Sequence, residues 1–145
     1  MDQDSDAKAP QAQAINNSLI DGHTHIDQYE PAELAGLLSR ASDAGIGMII
    51  AAGTTIPSCE AVQNLSEQFT GIRAGVGLHP ADLTDRVDIS IASKLRSLAQ
   101  SATVVEISET GLDYLPSSPP WEMQQESFRH HIRIAKDLGL PLVVH

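Results

Sequence analysis

The sequence predicts an α/β fold, with about five βα units of an incomplete TIM-type (β/α)8 barrel. Three observations predict it. Short apolar runs alternate with longer helical stretches at close to the ~30-residue spacing of a βαβ unit, which implies a parallel sheet. Polar side chains capable of chemistry (His23, His25, His79, Glu109 and His145) fall at the C-terminal ends of those runs. Barrel enzymes carry their catalytic groups at that face. The segment after the first run, His23-Thr24-His25-Ile26-Asp27-Gln28, lacks the glycine-rich loop that a doubly wound nucleotide fold places there. A full barrel takes eight strands and ~250 residues, so these 145 residues are expected to be its N-terminal part, three strands short.

The elements follow in order. Residues 1–14 carry Asp2, Asp4 and Asp6 against a single Lys8 and are expected to be a disordered, solvated tail, leaving 15–145 as the barrel part. Ser18 to His23 is a short strand-like run, expected to be buried. Pro31 to Ala44 places Leu34, Leu37, Leu38 and Ala41 at helical spacing, with Pro31 suited to a first turn and Gly45 and Gly47 ending the helix. Met48 to Ala52 is continuously apolar, as in a strand buried on both faces. Pro57 to Phe69 reads as a helix, Ile72 to Leu78 as a strand rich in small residues, Ile89 to Ala99 as a helix and Thr103 to Ser108 as a strand. Pro120 to Leu138 is the longest helix, its stripe formed by Phe128, Ile132, Ala135 and Leu138, with Gly139 as the cap. Leu140 to His145 is the fifth strand, and Pro141 is tolerated among a strand's first residues.

Composition sets limits on function. Apolar residues make up 41% and charged residues 19%, ordinary for a globular domain. The net charge of −10 gives the chain no intrinsic attraction for phosphate backbones. Nucleic-acid chemistry would therefore need cations or a local basic patch. Aromatic residues are 3% of the chain, which argues against a base-stacking surface of the single-strand-binding kind. The lone cysteine, Cys59, cannot form an intrachain disulfide and reads as a small packing residue in the first turn of a helix. The N-terminus has no basic or apolar region of a secretory signal, and no stretch approaches a membrane span. A cytoplasmic protein with no membrane contact and no obligate protein partner is the expectation.

The strand ends carry the chemistry. His23 and His25 are two apart, so in a strand their rings share a face and can converge on one ion. Asp21 and Asp27 are expected on that face. Glu109 is followed by Thr110 and Gly111. A carboxylate there can enter a crowded centre and bridge two cations through its two oxygens. His145, after Leu142-Val143-Val144, reads as a third nitrogen ligand. His79, in Gly77-Leu78-His79-Pro80, is placed either to contact a substrate phosphate or leaving group or to serve the structure. Asp113 either orients a ligand or caps the following loop. His130 and His131, beside Arg129 and Arg133, are expected on the outer helix face.

These motifs together carry a resemblance. Asp21-Gly22-His23-Thr24-His25-Ile26-Asp27, then Gly77-Leu78-His79-Pro80, then Glu109-Thr110-Gly111-Leu112-Asp113-Tyr114, then Gln125 and Phe128 before Leu140 to His145, are similar in order and spacing to the TatD family of metal-dependent deoxyribonucleases. The resemblance spans residues 18–145. It implies a TIM barrel, two divalent metal cations (Mg, Mn or Zn) and DNA as the substrate of ester hydrolysis. It assigns His23, His25, Glu109 and His145 as metal ligands, and Glu109 and His79 as the catalytic pair. Ser108 stands where the family usually has glycine. The family's later histidine and aspartate, and the arginine after the His145 equivalent, do not occur. Two alternatives stand beside this reading: a related barrel hydrolase acting on amides or lactones, and a truncated, inactive fragment with open sheet edges that aggregates or associates.

Overall fold

A computed structural model describes residues 18–145, and the expected tail over 1–14 lies outside the described residues. Five strands and four helices alternate: β1 (Leu19–Thr24), α1 (Pro31–Asp43), β2 (Ile46–Ala52), α2 (Ile56–Gln68), β3 (Ile72–Val76), α3 (Ile89–Ala99), β4 (Val104–Thr110), α4 (Trp121–Leu138) and β5 (Leu142–Val144). Short 3-10 turns follow β1 (Ile26–Gln28) and β3 (Pro80–Asp82). All strand pairs are parallel, and their order in the sheet is β1-β2-β3-β4-β5. The strand order never reverses, as it does in a doubly wound sheet. Each helix instead crosses to the next strand in the same direction, as in a barrel. The chain is a half-barrel.

The core lies between the sheet and its helices. Ile49, Ile72, Ala74 and Ile107 from the strands meet Leu34, Cys59, Val62, Leu95, Ile134 and Ala135 from the helices. Register fixes this meeting: Ile49 pairs with Ile72 and Ala51 with Ala74. Cys59 has the packing role expected of it. It is fully buried, its thiol donates to the Gly77 carbonyl at 3.1 Å and its sulfur accepts the Gly77 N–H at 3.3 Å. Burial pushes the thiol pKa up to about 12, so it stays protonated and inert.

Three local expectations are corrected. Gly45 ends the first helix in a left-handed conformation, φ 86°, but Gly47 lies inside β2, where a Cβ would collide with the Ser18 side chain. β1 is exposed rather than buried along its length, with Leu19 65% and Ile20 61% exposed, because it pairs only with β2 among the described strands. The buried face of α4 is Gln124, Ser127, His131, Ile134 and Ala135, whereas Ile132 is 42% exposed. Of the apolar stripe read from sequence, Ala135 is buried on that face and Leu138 packs partly buried against the core. The helix turns a partly polar surface inward because neighbouring loops supply partners for it.

Gly77 allows β3 and β4 to approach closely. A Cβ there would stand 2.5 Å from the Ser108 carbonyl oxygen and 3.0 Å from the Glu109 nitrogen, both backbone atoms with little freedom to move. Gly77→Ala should therefore cost about 1–3 kcal/mol, the range for overpacking. Gly22→Ala, where a Cβ meets nothing within 4 Å, should stay within about 0.5 kcal/mol. Urea unfolding midpoints of the two variants check the contrast, and equal midpoints would contradict it.

Candidate metal centre

Three strand ends bring four imidazoles to one carboxylate. Glu109 is the penultimate residue of β4, joined to Ser108 by a cis peptide. Its Oε2 lies 3.2 Å from His23 Nε2, 3.9 Å from His25 Nε2 and 3.9 Å from His79 Nε2. Its Oε1 lies 2.8 Å from His145 Nδ1. Two donor groups result, His23-His25-Glu109 and His79-Glu109-His145, each with ligand atoms within 4.8 Å of one another. Glu109 belongs to both. All five residues expected at the site are thus brought together.

The hydrogen bonds decide which ring nitrogen can do what. His25 Nδ1 lies 2.9 Å from the Ala52 carbonyl. A carbonyl only accepts, so Nδ1 carries the proton and Nε2 keeps its lone pair toward Glu109. His145 Nε2 lies 3.0 Å from Asp113 Oδ2. That carboxylate accepts from Nε2–H, while Glu109 Oε1 accepts from Nδ1–H on the other side. Loss of the Nδ1 proton would free that nitrogen to ligate, the carboxylate–histidine arrangement common around metals. His79 differs. Its Nδ1 accepts the Ala81 N–H at 3.2 Å, so the neutral ring is protonated on Nε2, the nitrogen facing the site. His79 therefore presents an N–H donor where His25 presents a lone pair, and in that tautomer His145 and Glu109 are the members of the second group left to ligate.

Charge follows the same geometry. Burial raises the Glu109 pKa, but the His145 hydrogen bond and the charges of His23, His79 and His145 outweigh it and hold the carboxyl below its ordinary range. The hydrogen bond to Glu109 raises His145 against the effect of burial, and Asp113 adds to the rise. Burial lowers His79, although Glu109 opposes it. Hydrogen bonds from Ser118 Oγ and the Leu115 N–H hold Asp113 at about 2. Asp113 thus fills both roles left open from sequence: it orients His145 and caps its own loop. The donor set is neutral nitrogen plus carboxylate oxygen converging on one point. That chemistry fits a divalent cation.

Other expectations shift. Asp27 does not join the histidines. Its Oδ2 accepts from Ser58 Oγ at 2.6 Å, bracing the start of α2. Asp21 Oδ1 accepts the His23 N–H at a long 3.4 Å. Two supporting residues were missed. Gln124, on the buried face of α4, accepts the Asp113 N–H at 2.8 Å and donates to the Asp113 and Pro119 carbonyls at 3.2 and 2.6 Å. His131, expected on the outer face, is fully buried instead. Its Nδ1–H donates to the Ser127 carbonyl at 2.7 Å and its Nε2 accepts the Leu78 N–H at 2.9 Å, fixing the residue before His79. The available signal was the spacing of Gln124, Ser127, His131 and Ile134, one helix face in seven-residue register.

A half-barrel with nitrogen and carboxylate donors at its strand ends belongs with the metal-dependent barrel hydrolases. The family description TatD related DNase matches residues 20–145, and the chain belongs to that family. It is 34% identical over 131 residues to the uncharacterized metal-dependent hydrolase YcfH of Escherichia coli K12, covering 88% of this chain and 48% of that protein. It is 32% identical over 109 residues to the 3'-5' ssDNA/RNA exonuclease TatD of Cronobacter sakazakii, covering 75% and 41%. The crystal structure of the TatD homologue YjjV from Escherichia coli superposes with a TM-score of 0.79 at 32% identity, over 87% of this chain and 49% of that one. The chain spans about half the length of the relatives it matches.

His131 yields a pH test away from the ligands. Burial depresses its pKa from 6.5 to about 4, and both ring nitrogens are satisfied only in the neutral form. The unfolded chain therefore takes up this proton first as pH falls. The contribution of His131 is fully retained above about pH 6.5 and is lost progressively down to about pH 4, at up to about 1.4 kcal/mol per pH unit. His131→Gln should flatten the decline of stability across that window. Urea titrations at pH 7, 6, 5 and 4.5 measure the difference, and parallel curves would refute a buried neutral ring.

Proposed function

We propose that the chain supplies half of the active site of a TatD-type deoxyribonuclease, which hydrolyses DNA phosphodiesters with two divalent cations, Mg, Mn or Zn. The observation that carries this reading is the sharing of Glu109 between two donor groups. His23 and His25 would hold one cation, His145 the other, and Glu109 both. Bound there, the cations would lower the pKa of water and offset phosphate charge, which an acidic chain of net charge −10 does not do by itself.

The chain's own residues have distinct parts. The Ala52 carbonyl holds His25 with its lone pair toward the site. Asp113 holds the Nε2 proton of His145. His79 offers its Nε2–H to a non-bridging or leaving oxygen of the phosphodiester, and so serves the reaction as a donor. No helix among the described residues is long and apolar enough to cross a membrane. We place the protein in the cytoplasm, acting on DNA without an obligate protein partner.

The full-length form, stripped with chelator and reloaded with Mg²⁺, Mn²⁺ or Zn²⁺, should cleave labelled DNA strands in preference to small amides and lactones. Glu109→Gln should lower that activity by at least about 10²-fold. Asp113→Asn should weaken cation binding in calorimetry by about 10–100-fold, the usual effect of losing a ligand's hydrogen-bond partner. Full metal-dependent activity in Glu109→Gln would sink the shared-ligand role. Cleavage of lactones with DNA untouched would move the protein to the amide and lactone hydrolases, and inertness of the present chain alone toward every substrate would favour an inactive fragment.

A further inference from the structure

The loop from Gly111 to Pro120 and the first residue of α4 hold two aromatic rings that the site described above does not use. Tyr114 is 81% exposed and Trp121, the first residue of α4, is 37% exposed. Their ring centroids stand 4.9 Å apart with planes tilted by 41°. Leu115, 63% exposed, extends the patch. The chain holds one tryptophan and two tyrosines, so this loop gathers most of its exposed aromatic surface in one place.

The platform is fixed rather than floppy. Asp113 accepts from the Leu115 N–H at 2.8 Å and from Ser118 Oγ. Gln124 ties both the N–H and carbonyl of Asp113, and the Pro119 carbonyl, to α4. Tyr114 is therefore anchored on one side by Asp113 and on the other by Leu115. Its backbone directly follows Asp113, whose carboxylate contacts His145 at 3.0 Å, so the loop that carries Tyr114 is the one that borders the metal centre. The charged residues that flank the two rings in sequence, Asp113 and Glu122, are acidic, which disfavours a phosphate on them. A neutral, flat, polarisable group suits it, and every nucleobase has such a face.

We propose that Tyr114 and Trp121 form a stacking platform for one unpaired nucleobase beside the scissile phosphodiester. This rests on the phosphodiesterase reading above. An extended stacking surface is ruled out by composition, but one base needs only two rings. Recognition through the π-face is indifferent to base identity. In a chain of net negative charge, such stacking supplies affinity that lysine and arginine contacts provide in basic nucleases.

The sole tryptophan makes the test direct. Two probes are compared: a short phosphorothioate-linked thymidine strand, and the same strand with an abasic terminal nucleotide. The first should quench Trp121 fluorescence and the second should not. With cleavable diester versions, Tyr114→Ala and Trp121→Ala should each raise KM on the ordinary strand roughly 10-fold or more while moving the abasic strand's KM less than about twofold. Cleavage without quenching, or equal KM changes on both strands, overturns the platform and leaves the phosphodiesterase reading intact. If no strand is cleaved with any metal, that reading fails, and quenching by the base-bearing probe alone still supports the platform. Absence of both quenching and cleavage refutes the two together.

Discussion

Glu109 places one carboxylate within 3.9 Å of ring nitrogens arriving from the ends of β1, β3 and β5. Such convergence is costly without compensation, since imidazoles and a carboxylate must be brought out of water and held at fixed distances. The chain meets the cost by giving three of the four rings a second partner. The Ala52 carbonyl takes one proton of His25, Asp113 takes one of His145, and the Ala81 N–H occupies Nδ1 of His79. The tautomers that result are not equivalent. His25 presents a lone pair to the centre and His79 a donor, which separates holding a cation from contacting a substrate oxygen.

The support beneath this arrangement comes from α4. Its inward face is unusually polar for a helix packed on a sheet, and each of its largest polar groups secures a different loop. Gln124 holds the backbone of Asp113, hence the orientation of His145, and His131 holds the backbone N–H of Leu78, hence the start of the His79 turn. Buried polar groups are tolerated when all their bonds are made, and His131 makes a bond at each ring nitrogen. One helix thereby couples the positions of two site residues that come from different strands.

That polarity is also why α4 was the least legible element in the sequence. Counting apolar positions selects Phe128 and Ile132, because an outward leucine or isoleucine is common and a buried glutamine or histidine is rare. Two of the partners that satisfy the inward face, Asp113 and Leu78, lie 11 and 53 residues away in the chain, beyond any local pattern. The parallel strands were legible for the opposite reason. Their apolar runs are short and bounded, and each polar site residue falls where a run stops. His23, His25, His79, Glu109 and His145 were therefore singled out from position and residue type, and the strand ends bring them together. Asp27 was misplaced because the 3-10 turn at Ile26–Gln28 breaks the two-residue alternation on which its assignment depended.

Backbone register, more than side-chain packing, sets the final geometry. The His145 N–H donates to the Thr110 carbonyl at 2.8 Å, so the residue after β5 is pinned beside the residue after Glu109. The His79 N–H donates to the Thr54 carbonyl at 2.8 Å, fixing it past the end of β2. Gly77 then lets the backbone of β3 close on Ser108 and Glu109. Each contact joins the C-terminal end of one strand to the end of its neighbour. A slip between strands would displace the donors together and turn side chains to the wrong face. The small residues of β3 and β4 are thus as much a part of the centre as the histidines, because they determine whether the four rings and the carboxylate meet.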